Sequence, residues 1–202
     1  MPLGEYLVSV MFMPAEAYLK RLRKPLAITI PLFIAFLVVG ATLPRTFQEA
    51  FTETLGRQFA PIVNLPPLMI MITIFLNNAL KSFVAMLLGV FFGIAPIAFV
   101  AINGLIIGLV MSVFTQAQGP LATVAAILPH GVIEIPAFIL SSAIGVRLGI
   151  RFYKRIKGEH GLGMEMIAAI LFFLVYLLPA FLVAAFIEAY ITPLILSLVV
   201  KP

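Results

Sequence analysis

"ILPHGVIEIPAFILSSAIGVRLG", residues 127 to 149, decides what kind of fold this chain adopts. The stretch is long and apolar enough to cross a bilayer, which takes roughly 20 residues. Its first half nevertheless holds Pro129, His130, Gly131, Glu134 and Pro136. An ionisable side chain at bilayer depth costs at least about 2.5–3.5 kcal/mol on insertion scales, so such groups face protein or a water-filled cavity. Pro129 removes an amide and clashes with the preceding turn, Gly131 tolerates unusual dihedrals, and Pro136 repeats the interruption. The reading therefore predicts a broken span. Broken helices form substrate and ion sites in transporters; the alternative is a proline kink whose polar groups are satisfied by neighbouring helices.

The rest of the chain agrees with a membrane setting. Of its 202 residues, 63% are hydrophobic and only 10% are charged, whereas a soluble domain carries about 25% charged residues. Five apolar runs are long enough to span, at about 25–43, 67–94, 96–114, 121–146 and 164–189. Alternating short strands, the mark of a closed barrel, do not appear. The expectation is an all-α, polytopic helical bundle in one integral membrane domain, residues 1–202, with no secretory signal. Zero cysteines exclude disulfides and thiolate metal sites.

Charge fixes the expected topology. Lys20, Arg21, Arg23 and Lys24 form one basic block, and Arg147, Arg151, Lys154, Arg155 and Lys157 form another. With five spans between the termini, both blocks fall on one side, which the positive-inside rule makes cytoplasmic; the C-terminus then lies outside. Blocks that flank spans explain the net charge of +5 without nucleic-acid binding. Residues 1–24 are amphipathic and are expected to lie against the membrane surface. Between spans one and two, Phe47, Phe51, Leu55 and Phe59 recur at four-residue spacing, with Glu49, Glu53 and Arg57 on another face. That pattern predicts an amphipathic helix packed on lipid or on a partner.

Polar residues inside the spans define the candidate site: Asn77, Asn78 and Lys81 in span two, Asn103 in span three, and His130 and Glu134 in span four. Asn77 lies ten residues after Pro67 and His130 nine after Leu121; Lys81 and Glu134 lie fourteen and thirteen after the same starts. Depth counting thus predicts a Lys81–Glu134 ion pair with Asn77 beside His130, each charge offsetting the burial cost of the other. No H-E-x-x-H motif, aspartate or cysteine accompanies His130 and Glu134, so no metal site, cofactor or catalytic group is expected; an intramembrane metal-dependent hydrolase is the remote alternative. Ser82, Ser112, Ser141 and Ser142 read as helix-packing serines. Gly89/Gly93, Gly104/Gly108 and Gly145/Gly149 are small-xxx-small pairs that let helix backbones approach closely, and three of them suggest a homodimer as well as packing within the chain.

"FLNNALKSFVAMLLGVFFG" (75–93), "INGLIIG" (102–108) and "ILPHGVIEIPAFILSSAIGVRLG" (127–149) together resemble the stage II sporulation protein M family of integral membrane proteins. Asn77, Asn78, Asn103, Gly104, Pro129, His130, Gly131 and Glu134 occupy the family's motif positions in that resemblance. It implies a membrane scaffold that recruits or orients envelope proteins, as the namesake does beside a peptidoglycan-degrading pair in spore formers. The polar residues at matched depths imply a second reading, a transporter or channel-like protein for a small solute or ion.

Overall fold

The computed structural model describes residues 15–59 and 65–200. Among these, helices account for nearly every residue and no strand occurs. Five helices are long and apolar enough to cross a membrane: Arg23–Ala41, Pro67–Leu88, Ile94–Gln118, Pro120–Ile156 and Leu162–Val199. They are called spans one to five below. The predicted amphipathic helix is present at Arg45–Phe59. Its Phe47 is 61% exposed, whereas Phe51, one turn on, is half-buried. Arg57 and Glu53 pair along its other face at 2.6 Å.

Glycine sets how the spans pack. A Cβ on Gly108 would run into the Leu37 carbonyl, one on Gly40 into the Leu105 carbonyl, and one on Gly104 would sit 2.6 Å from the Phe33 carbonyl. Spans one and three thus meet backbone to backbone. Gly89 presses on the backbone of Gly145, while Gly149 faces Gly93 and Phe92. Spans two and four close on one another there, and Ser141 adds a buried bond from its hydroxyl to the Ser82 carbonyl at 2.8 Å. All three glycine pairs are taken up within the chain. A homodimer would have to use another face than the glycine seams that suggested it.

Spans two and three are joined by a turn in which Phe92 and Gly93 have φ of 58° and 75°. Glycine adopts the left-handed region freely, whereas phenylalanine does so at a cost. Phe152 packs edge-on to the Phe92 ring, with centroids 5.3 Å apart.

The N-terminal segment is described only from Ala15 onward; residues 1–14, most of the predicted surface-lying segment, fall outside the described residues. Ala15–Arg21 is helical, but Tyr18 and Leu22 are fully buried in the bundle. Tyr18 stacks on Phe172 of span five, centroids 4.6 Å apart. An aromatic anchor ties the end of this segment to the bundle.

The two basic blocks do meet at one end of the bundle. Arg147 donates to the Arg21 carbonyl at 2.9 Å and forms a two-pronged ion pair with Glu165, which is only 4% exposed. Arg151 lies 3.5 Å from the same carboxylate. At the opposite end, Gln48 donates to Ser112 at 3.3 Å and Gln116 donates to Gln48 at 2.9 Å. Those bonds hold the Arg45–Phe59 helix to span three.

The predicted break in span four is absent. Pro120–Ile156 is one α-helix containing both Pro129 and Pro136. Each proline forgoes one intrahelical bond, to the Ala125 and Val132 carbonyls respectively, but spans one, two, three and five pack around this helix and hold its course. Gly131 does not bend it; a Cβ there would meet only Ile127 and Ile135 of the same helix, at 3.5 Å.

The irregularity lies in span five instead. Phe173–Leu177 and Ile187–Ile191 are π-helical. Leu178 N–H donates to the Phe173 carbonyl and Thr192 N–H to the Ile187 carbonyl, each five residues back. Pro179 and Pro193 follow directly. A proline cannot bond to the carbonyl four residues before it, and the widened turn accommodates that loss.

A candidate intramembrane polar site

His130 and Glu134 are four residues apart on span four and therefore share one helix face. Facing them, the second π-segment of span five carries Glu188. One ring nitrogen of His130 and one oxygen each from Glu134 and Glu188 all lie within 4.8 Å of one another. Span two supplies the third side: Asn78 donates to Glu134 Oε1 at 2.9 Å, and Asn77 donates to Asn78 Oδ1 at 3.0 Å. Thr192, buried one helical turn after Glu188, places its hydroxyl 3.5 Å from His130 Nδ1.

His130 lies ten residues inside Pro120 and Asn78 eleven inside Pro67. At about 1.5 Å per residue both stand some 15–17 Å from the helix ends, the middle of a hydrocarbon core about 30 Å thick.

Four of the residues proposed from sequence, Asn77, Asn78, His130 and Glu134, come together. Two do not. Lys81 lies on the exposed side of span two and forms no ion pair with Glu134 among the described residues. It shares a face with Asn77, four residues earlier, and that face points out of the bundle; the inward side carries Asn78, Ser82 and Met86. Matched depth therefore did not mean matched direction. Asn103 turns back on its own helix and donates to the Phe99 carbonyl at 2.8 Å. Pro129, Gly131 and Pro136 flank the site in sequence without breaking the helix that carries it.

Glu188 is the residue that sequence reasoning missed. Span five was expected to end near residue 189, but the helix runs on to Val199 and takes Glu188 inside. The available signal was Glu188 itself, followed by the apolar run from Ile191 to Val200 that continues the span.

The arrangement has a plain electrostatic consequence. Glu134 and Glu188 bring two carboxylates together, and neither forms an ion pair with a cationic side chain among the described residues; Arg147 and Arg151, further along span four, serve Glu165 at the basic end. Two carboxylates in a low-dielectric setting repel strongly when both are ionised. A proton or a cation between them removes the repulsion. This differs from a closed ion-pair network, whose charges cancel internally.

A five-span helical bundle with a His/Glu/Glu/Asn site at mid-depth defines a multi-pass membrane protein of mainly apolar helices. Residues 28–193 match the family described as Stage II sporulation protein M, and the chain belongs to that family. It is also 34% identical over 122 residues to an uncharacterized protein of Methanocaldococcus jannaschii, an alignment that covers 58% of this chain and 68% of the relative. No solved structure matches.

Proposed function

We propose that this protein moves a small cation across the membrane by way of the site between spans two, four and five. One observation carries the reading: Glu134 and Glu188 converge at mid-depth, and among the described residues neither forms an ion pair with a lysine or arginine. A purely structural cluster would have no reason to keep two acids together there, because apolar residues of similar volume are often as stabilising as buried charges. Asn77 donates to Asn78, which in turn donates to Glu134, so the acid is tied to a row of amides on span two. The π-segment that carries Glu188 supports the same reading, since such segments in membrane and soluble helices occur often at functional positions.

The test is flux in proteoliposomes holding the purified chain, with entrapped reporters for protons, Na+, K+ and divalent ions. Wild type should pass at least one of these faster than empty vesicles. Glu134→Gln and Glu188→Gln should each remove most of that flux while leaving the helical content unchanged. Wild-type flux equal to that of empty vesicles for every ion would overturn the proposal.

A scaffold role has its own support at the far end of the bundle. A groove of about 500 Å³ opens there between the Arg45–Phe59 helix and span three, lined by Arg45, Gln48, Glu49, Glu53 and Gln116. A polar, charged and open cleft of this kind suits a segment of another envelope protein better than it suits lipid. Crosslinking from a photoreactive group at Glu49 tests it; crosslinks to lipid alone would refute the scaffold reading. We place the N-terminus in the cytoplasm and the C-terminus outside, on the strength of the two basic blocks.

A further inference from the structure

We propose that His130, Glu134 and Glu188 bind one divalent first-row transition-metal ion of the Zn2+ type at mid-membrane depth. The proposal deepens the transport reading by naming the cation class, and it rests on that reading only for the role of the ion, not for the site itself.

The donor set comes first. One imidazole nitrogen and two carboxylate oxygens lie within 4.8 Å of one another, and small side-chain rotations would draw them to the roughly 3.3–3.6 Å separations of a tetrahedral ion held at about 2.0–2.2 Å from each. Hard ions such as Mg2+ and Ca2+ take all-oxygen shells, whereas imidazole suits zinc and its neighbours in the first row. The donors are unlike one another and arrive from two separate helices, so the site is not a patch of surface acids. Charge comes next. Two carboxylates bring −2 and a divalent ion brings +2, which leaves the site neutral in hydrocarbon, where uncompensated charge is expensive.

Support around the donors follows the usual pattern of metal centres, in which outer partners orient the ligands. Asn78 fixes Glu134 through Oε1 at 2.9 Å, and the Thr192 hydroxyl stands beside His130 Nδ1 at 3.5 Å. Span five is π-helical where it presents Glu188, so the direction of this ligand is set by a local departure from α-geometry. Three protein ligands leave one tetrahedral position open, as in sites whose ion or bound water takes part in function; closed structural sites have four. A transported ion needs such an opening to enter and leave.

The experiment uses the full chain in detergent, stripped with a chelator and titrated with Co2+, which reports its ligands through visible absorption bands, and then with Zn2+ in competition. One Co2+ per chain should bind with bands typical of nitrogen and oxygen ligands, and Zn2+ should displace it while Mg2+ and Ca2+ do not. His130→Gln and Glu188→Gln should each weaken binding by about 100-fold or more, and Asn78→Ala by about 10-fold, the lower end of the loss seen for outer-shell partners. Lys81→Met and His160→Gln should bind as wild type does. Absence of Co2+ binding to the wild-type protein overturns the proposal without recourse to any variant. Binding that survives both His130→Gln and Glu188→Gln, or is lost in His160→Gln, overturns it as well. The two readings fail separately. Co2+ binding without flux in vesicles would keep the site and refute transport, whereas proton or Na+ flux without Co2+ binding would keep transport and refute the metal.

Discussion

Replacing Glu165 by Gln tests what holds the basic end of the bundle together. The carboxylate is 4% exposed and receives two bonds from Arg147, whose side chain is 17% exposed. Arg147 in turn reaches the Arg21 carbonyl, so one guanidinium joins span four, span five and the N-terminal helix. Breaking a buried ion pair by removing one partner costs about 3–5 kcal/mol. Here the stranded Arg147 keeps its bond to Arg21 and some solvent, which places the cost near the low end, about 3 kcal/mol. Arg151, 34% exposed and 3.5 Å away, adds less than about 1 kcal/mol, as for other solvent-reached pairs. For a chain of this size about 3 kcal/mol corresponds to a fall in melting temperature of roughly 6–12 °C. Thermal unfolding of the purified protein in mild detergent, followed by circular dichroism, measures it. Arg147→Met combined with Glu165→Leu should recover most of the loss, because it removes both charges. A melting temperature for Glu165→Gln within about 2 °C of wild type would refute the reasoning.

Other expectations follow from the same geometry. Gly108→Leu should lower stability by about 3 kcal/mol or prevent accumulation, because its Cβ would enter the Leu37 carbonyl; Gly131→Ala should be tolerated to within about 1 kcal/mol, and equal melting temperatures for these two variants would contradict the packing. Lys81→Met should leave stability unchanged or raised, since it removes a charge that pairs with nothing among the described residues and lies on the exposed face of span two; a loss comparable to that of Glu165→Gln would restore the Lys81–Glu134 pair. In this cysteine-free chain, single cysteines at Gln118 and Lys154 should label from opposite sides of the membrane. An impermeant reagent that reaches Lys154→Cys in intact cells would reverse the orientation.

Much of this architecture is legible in the sequence because bilayer thickness is a strict ruler. Apolar runs mark all five spans, but depth counting pairs Asn77 with His130 and Lys81 with Glu134, whereas the bond between the two spans joins Asn78 to Glu134, and His130 stands beside Thr192. Direction around the helix is less legible. Lys81 was assigned inward from its depth, but a shift of one residue turns a side chain by about 100°, and Asn78 rather than Asn77 faces Glu134. The prolines misled for a related reason. In water Pro129 and Pro136 would end a helix; packed among four other spans, the backbone stays helical. Glu188 escaped notice because an acid near the end of an apolar run reads as its boundary. Nothing in local propensity marks a π-segment, and only Pro179 and Pro193 hint that span five departs from regular geometry.

The two π-segments also set the rotational phase of span five. Its first part is fixed by Glu165 and by Phe172 against Tyr18, so every later residue takes its bearing from the wide turn at Phe173–Leu177. Deleting one residue from the regular stretch Leu178–Phe186 would rotate Glu188 by about 100° with a shift of only about 1.5 Å along the axis, whereas the same deletion inside a π-turn would be absorbed as that turn became an ordinary one. The helix would remain long and apolar, and a hydropathy profile would hardly change. A descendant of this gene could thus lose its acid at mid-depth through a three-nucleotide deletion that spares every polar residue of the site. Relatives sharing both glutamates and His130 should accordingly be compared by the spacing between Glu165 and Glu188, twenty-three residues in this chain, before a common chemistry is assigned to them.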